Sequence, residues 1–386
     1  MEPNGHRLKT AYCKKRTSHG EFEAQGVKRI FISDCEGPIS KNDNAFELAA
    51  NFIPNGDKLF ANISKYDDVL ADVLRKPSYS AGSTLKLVLP FFKAYDVTDK
   101  LMEDFSEKNV VLIAHSKETL YHIQAIASAF IVSTSYEHYI KALCKALSFP
   151  YENTYCTKVS LDKYALSPKE KERLKEIAKE ITQMHLIDIP PAARAREDFS
   201  RNDQAIIQRL DEVFWSEIPK MSVGKMLTDV VTIGGEQKAQ AIRDAVKRLG
   251  AELGDVMYVG DSITDVEAFK LVRANGGLTV SFNGNGYAVK NAELAVLSES
   301  NLVTAAIADL FCRFGKEKTT CALQSWNYEA LKKSGVDKAL LRQLSDFYPG
   351  ALPKAQIVTA QNMETLVKES NTFRKKVRGV SIGRLG

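Results

Sequence analysis

The sequence predicts an α/β fold, a parallel sheet with helices on both faces. Three observations carry that prediction. From residue 234 the chain alternates helix and strand patterns: GGEQKAQAIRDAVKRLG, then DVMYVGD, then SITDVEAFKLV, then GLTVSFNG. Such alternation implies parallel pairing through helical crossovers. Short apolar strands also run straight into polar turns, the first in FISDCEGPIS at 31–40. Finally, 44% apolar and 26% charged residues over 386 positions is an ordinary globular composition, with room for two or three domains.

Taken in order, residues 1–27 are polar and basic and are expected to form a loose arm. VKRIFIS (27–33) reads as a strand. Residues 43–108 read as helices: DNAFELAANF starts on Asp/Asn, SKYDDVLADVL and STLKLVLPFFKAY each start on a Ser cap. Pro90 is expected to kink or end the last of these. Residues 117–128 form one more helix, and AFIVSTS (129–135) a buried strand entering a hydroxyl-rich turn. In SPKEKERLKEIAKEI, Ser167 is the N-cap, Pro168 the first helical residue, and Glu170 completes a capping box. NDQAIIQRLDEVFWSEI is an amphipathic helix capped by Asn202 or Asp203. Residues 301–386 read as three or four helices ending in FRKKVRG. Its Arg374, Lys375, Lys376 and Arg378 are expected on a solvated face, with contact to phosphate or an acidic partner as the alternative.

The net charge of +5 is modest and demands neither nucleic acid nor membrane as partner. Six cysteines without a CxxC pair argue against a zinc site or a disulfide framework, and for a reducing compartment. No apolar run reaches the length of a membrane helix, and the N-terminus has no signal-peptide h-region. A cytoplasmic location is the expectation, with oligomeric state left open. The histidines His115, His122, His138 and His185 show no metal spacing.

Four stretches end a strand or open a helix with chemically capable side chains. Asp34 and Glu36 follow the first strand, Ser133 sits in IVSTS beside its competitors Thr134 and Ser135, with Ser116 of VVLIAHS as another source of that hydroxyl, Lys238 opens GGEQKAQAI, and Asp261 and Asp265 fall in VGDSITD. In an open parallel sheet these positions gather in one crevice. Clustered carboxylates repel and need a counter-ion, and Mg²⁺ suits a site with carboxylates and a phosphate oxygen. Lysine and a serine hydroxyl bind phosphate. An Asp is a nucleophile able to form an aspartyl-phosphate, and a second carboxylic acid is a proton donor and acceptor.

The order D-x-E-G-P, apolar-S-T, K-A, G-D-S-x-x-D resembles the haloacid dehalogenase superfamily, with its Rossmann-like core. It looks most like the phosphoserine-phosphatase-like branch and is similar to uncharacterised archaeal-type predicted phosphatases that share DxEGP. The resemblance rests on residues 28–40, 129–140, 232–246 and 255–285. It implies a catalytic core from 28–40, 109–150 and 226–300, a helical cap insertion at 41–108, a second helical insertion at 151–225, and a helical C-terminal region at 301–386. It implies Asp34 as nucleophile and metal ligand, Glu36 as general acid/base with its carbonyl on Mg²⁺, Ser133 and Lys238 on the phosphoryl group, and Asp261 and Asp265 at the metal. Ser262 and Asn283 would border these groups. Glu36 and Pro38 depart from the family's usual Asp and Thr. The expectation is a Mg²⁺-dependent phosphatase for a small phosphorylated metabolite. The alternative is a catalytically weak or inactive phosphate-binding or regulatory protein.

Overall fold

The computed structural model describes residues 29–384, so the arm expected at 1–27 lies outside the described residues. Seven strands form one sheet in the order β3-β2-β1-β4-β5-β6-β7. β1 (Ile30–Ser33), β2 (Ser128–Tyr136), β3 (Thr154–Thr157), β4 (Val256–Gly260), β5 (Leu278–Phe282) and β6 (Leu294–Leu297) pair in parallel. β7 (Lys354–Ile357) closes one edge antiparallel to β6.

Helices α1 (Asn44–Phe52), α2 (Gly56–Asp68), α3 (Thr84–Ala94) and α4 (Asp99–Asn109) follow β1. α5 (Ser116–Ile126) and α6 (Glu137–Leu147) flank β2, and α7 (Pro168–Gln183), α8 (Arg201–Glu212) and α9 (Met226–Asp229) follow β3. α10 (Glu236–Leu249) precedes β4, and α11 (Val266–Ala274) and α12 (Gly286–Asn291) flank β5. The C-terminal region contributes α13 (Leu302–Leu323), α14 (Tyr328–Ser334), α15 (Lys338–Phe347) and, after β7, α16 (Met363–Arg378). Among the described residues no helix is long and apolar enough to cross a membrane.

Side-chain alternation along the strands sorts two cores. Phe31, Ile131 and Val259 face α5, α6 and α13 through Ile123, Leu143 and Ile307. Ile30, Ile32 and Tyr258 face α10 and α11 through Ile242 and Phe269. Each such fully buried side chain contributes roughly 1.5–3 kcal/mol. β1, β4 and β5 are buried throughout, as strands covered on both faces must be. A third core joins α1–α4 to α7–α9: Leu59, Ile63 and Phe91 meet Ile177, Ile181 and Phe214. Helices from 41–108 and 151–225, far apart in sequence, thus pack as one layer.

Several local expectations are met and several corrected. Ser167, Pro168 and Glu170 form the capping box at the start of α7. α8 is capped by Ser200, whose hydroxyl accepts from Asp203 N–H, and not by Asn202 or Asp203. α3 runs through Pro90 to Ala94. Its Ser83 makes no side-chain cap; Asp67 replaces it, accepting from Gly82 N–H, Thr84 N–H and the Thr84 hydroxyl. α2 starts at Gly56, so Ser64 lies inside a helix. β3 falls within the 151–225 stretch and β7 within a region read as wholly helical; both extend the sheet at its edges.

Candidate active site

From β1 the chain moves outward to β2 and β3, then returns to place β4 on the other side of β1. Open α/β sheets bind ligands in the crevice at such a reversal. Asp34 follows β1, Asp261 follows β4, Ser133 lies in β2, and Lys238 is the third residue of α10. All four are buried. The carboxylates of Asp34, Asp261 and Asp265 come within 4.8 Å of one another.

Lys238 is the hinge of this cluster. Its ammonium donates to Asp34 Oδ2 at 2.5 Å and to Asp265 Oδ1 at 2.7 Å, with no solvent exposure. Burial works against its charge, but Asp265 and Asp34 more than offset that, and its pKa ends above the usual lysine value. Burial pushes the Asp34 carboxyl up to about 7, against the pull of Lys238. Asp265 goes the other way: burial opposes its charge, but Lys238, the Tyr258 hydroxyl and backbone N–H donors hold it below the usual carboxylate range. Its Oδ1 accepts from Lys238 and Tyr258, and its Oδ2 from Asp261 N–H and Ser262 N–H. With four donors around it, Asp265 has its acceptor capacity filled.

The turn after β1 is shaped by Gly37, at φ +104°, where a Cβ would run into the Asp261 carboxylate. Cys35 N–H donates to Asp34 Oδ1 at 2.6 Å. Glu36 accepts from Asn44 N–H at 2.6 Å, tying this turn to the start of α1. Burial, then the charge of Asp43, pushes the Glu36 carboxyl well above its ordinary value.

Asp34, Glu36 and Asp261 line a cavity of about 100 Å³. Its floor includes Asp34, Glu36, Ser133, Asp261 and Ser262, and its roof comes from the helical layer through Phe60, Ser64 and Asp67 of α2 and Thr84 of α3. Ser133 lines it and pairs with the Ser135 hydroxyl, while Thr134 donates to the Ile233 carbonyl. Ser116 is spent on the carbonyls of Ile39 and Ile113. Asn283 is spent on the Ser298 backbone and does not line the cavity.

Sequence reasoning missed Arg374 and Arg378. Expected on a solvated face, both are buried, whereas Lys375 and Lys376 are exposed. Both guanidinium groups donate to Asp261 Oδ2. Arg378 also donates to the carbonyls of Lys41 and Asn42. The three clustered carboxylates therefore meet three buried cations of the chain itself: Lys238, Arg374 and Arg378. Counter-charge alone no longer requires a metal here. The donor set still fits one: Asp261 Oδ1 receives no hydrogen bond among the described residues, and Asp34 Oδ1 takes a single N–H. Hard carboxylate oxygens of this kind suit a divalent cation.

Fold and site together define a parallel α/β enzyme with an acidic crevice at the reversal of its strand order. A family model for haloacid dehalogenase-like hydrolases matches residues 92–309, more than half of the chain, and the chain belongs to that family. The match includes Ser133, Lys238, Asp261 and Asp265 and begins after Asp34. The chain is similar to a gene product of Archaeoglobus fulgidus whose structure is known, at 26% identity and a TM-score of 0.75, covering 93% of this chain and 99% of that one. It is 34% identical over 82 residues to an uncharacterised protein in the pdhA 5′ region of Geobacillus stearothermophilus, covering 21% of this chain and 74% of that protein. A phosphoserine phosphatase in its apo form is a more distant likeness, with 11% identity, a TM-score of 0.44, and coverage of 75% of this chain and all of that one.

Proposed function

We propose that this hydrolase is a Mg²⁺-dependent phosphatase acting on a small phosphorylated metabolite through an aspartyl-phosphate on Asp34. The observation that carries this reading is Asp34, which lines a small cavity and is paired with the fully buried Lys238, itself paired with Asp265. The Asp34 carboxylate attacks phosphorus, and Lys238 offsets the charge that gathers on the phosphoryl oxygens. The Ser133 hydroxyl donates to one of those oxygens. Glu36, whose carboxyl burial raises well above its ordinary value, gives its proton to the leaving oxygen and then takes one from the water that cleaves the acyl-phosphate. Asp265 touches no substrate; it fixes Lys238 and the turn after β4. Mg²⁺ would be held by Asp34, Asp261 and the main-chain carbonyl of Glu36, and would neutralise phosphoryl charge. The helical layer acts as a cap that admits small substrates.

A phosphate-binding protein without turnover is the second reading, favoured by the two arginines on Asp261. Phosphate release from an aryl phosphate and a panel of small phosphomonoesters separates the two. Release by wild type with Mg²⁺ that vanishes with a chelator and in Asp34→Asn is the expected result. Release that persists in Asp34→Asn, or none from any substrate, would remove the proposed mechanism.

A further inference from the structure

The last helix of the described chain is built around the site instead of a core. The buried positions of α16 are Leu366, Ser370, Arg374 and Arg378, one stripe at a spacing of four. Only Leu366 is apolar. Ser370 donates to the Gly284 carbonyl at 2.6 Å, and the next two positions send guanidinium groups into the cavity that holds Asp34.

Of those two guanidinium groups, Arg378 donates from all three of its nitrogens, and Arg374 is left incompletely matched. They share a single oxygen of Asp261. Nearby carboxylates are already engaged: Asp43 is the N-cap of α1 through Phe46 N–H, and Glu36 accepts from Asn44 N–H. Arg374 uses one terminal nitrogen, on the Asp261 side chain and carbonyl, while its Nε is buried and meets no acceptor. An orphaned buried donor is costly, and two like charges brought together are costlier. The missing partner is an anion with several acceptor oxygens, the geometry that an arginine fork fits best.

We propose that Arg374 and Arg378 form an oxyanion clamp, binding the phosphoryl oxygens of the ligand from the C-terminal helix in addition to Lys238 and Ser133 from the core. This rests on the phosphatase reading for its substrate but not for its test. It gives the C-terminal region a role in the site itself, as a substrate-binding element.

Calorimetric titration of inorganic phosphate, with Mg²⁺ present, tests the clamp in wild type, Arg374→Gln, Arg378→Gln and Arg374→Lys. Mg²⁺ is titrated separately into each. Loss of a charge-assisted contact predicts about tenfold to a hundredfold weaker phosphate binding in either Gln variant. Mg²⁺ affinity should hold or rise as Asp261 is released. Arg374→Lys keeps the charge and loses the fork, so it should fold and bind phosphate with intermediate affinity. Equal phosphate affinity in wild type and variants, or a loss that only follows weakened Mg²⁺ binding, would overturn the clamp, as would failure of the wild type to bind phosphate. Arginine-dependent binding without Asp34-dependent turnover would sink the phosphatase reading and leave the clamp standing.

Discussion

Lys238 is the residue on which the geometry of the site turns. It bridges two carboxylates without access to water, and removing one partner of a buried ion cluster leaves uncompensated charge. Lys238→Met is expected to cost about 3–5 kcal/mol of stability, read by denaturant unfolding, as well as activity. Gly37→Ala acts differently. Its Cβ would displace the Asp261 carboxylate while leaving every charge in place. A misplacement of about 1 Å at such a site predicts roughly a hundredfold loss of turnover, and wild-type rates in that variant would mean that Asp261 position does not matter. Asp34, Ser133, Lys238, Asp261 and Asp265 are legible in the sequence because each follows a strand pattern or opens a helix pattern, and a parallel sheet sends all its strand ends to one side. Arg374 and Arg378 are not. Flanked by Lys375 and Lys376 they read as surface, and a partner 113 residues away leaves no local mark.

Among the elements, caps show the same divide. The capping box of α7 is written within four consecutive residues, so Ser167 and Glu170 identify it directly. The cap of α3 comes from Asp67, 17 residues upstream of Thr84 and placed there by packing of α2. That cap carries a pH signature. Burial, opposed by hydrogen bonds from Thr84, raises the Asp67 carboxyl from 3.8 to about 6. An acid raised on folding costs stability above its folded pKa, where it is ionised in both states, and costs nothing well below its unfolded pKa. Asp67→Asn keeps an acceptor for the cap and removes that cost. The variant should gain on the order of 2–3 kcal/mol over wild type above pH 6. The gain should fade as pH falls toward 4, measured by unfolding at several pH values; a gain independent of pH would assign it to something other than the carboxylate. β7 escaped prediction because KAQI is four residues long, half-exposed and at a sheet edge, where the two-residue alternation has too little length to register.

For the whole molecule, the central parallel strands and the two helical faces follow from periodicity, while the edge strands β3 and β7 and the joining of α1–α4 with α7–α9 do not, since helices distant in sequence carry no sign of a shared core. Their layer roofs a cavity of about 100 Å³ over the floor residues. Small phosphomonoesters should therefore be hydrolysed and phosphopeptides should give no measurable release; comparable rates on both would mean that the helical layer does not limit access. The reach of α16 has a further consequence, for biosynthesis. Arg378 meets the carbonyl of Asn42 across 336 residues of chain. Translation at about 5–20 residues per second spends roughly 20–70 s on that interval. Through it the acidic turns of β1, and later of β4, are already made while their arginine partners are not. A nascent chain thus carries Asp261 without its arginine partners until α16 is made, and the order of synthesis, not the fold alone, sets the moment at which the site first becomes whole.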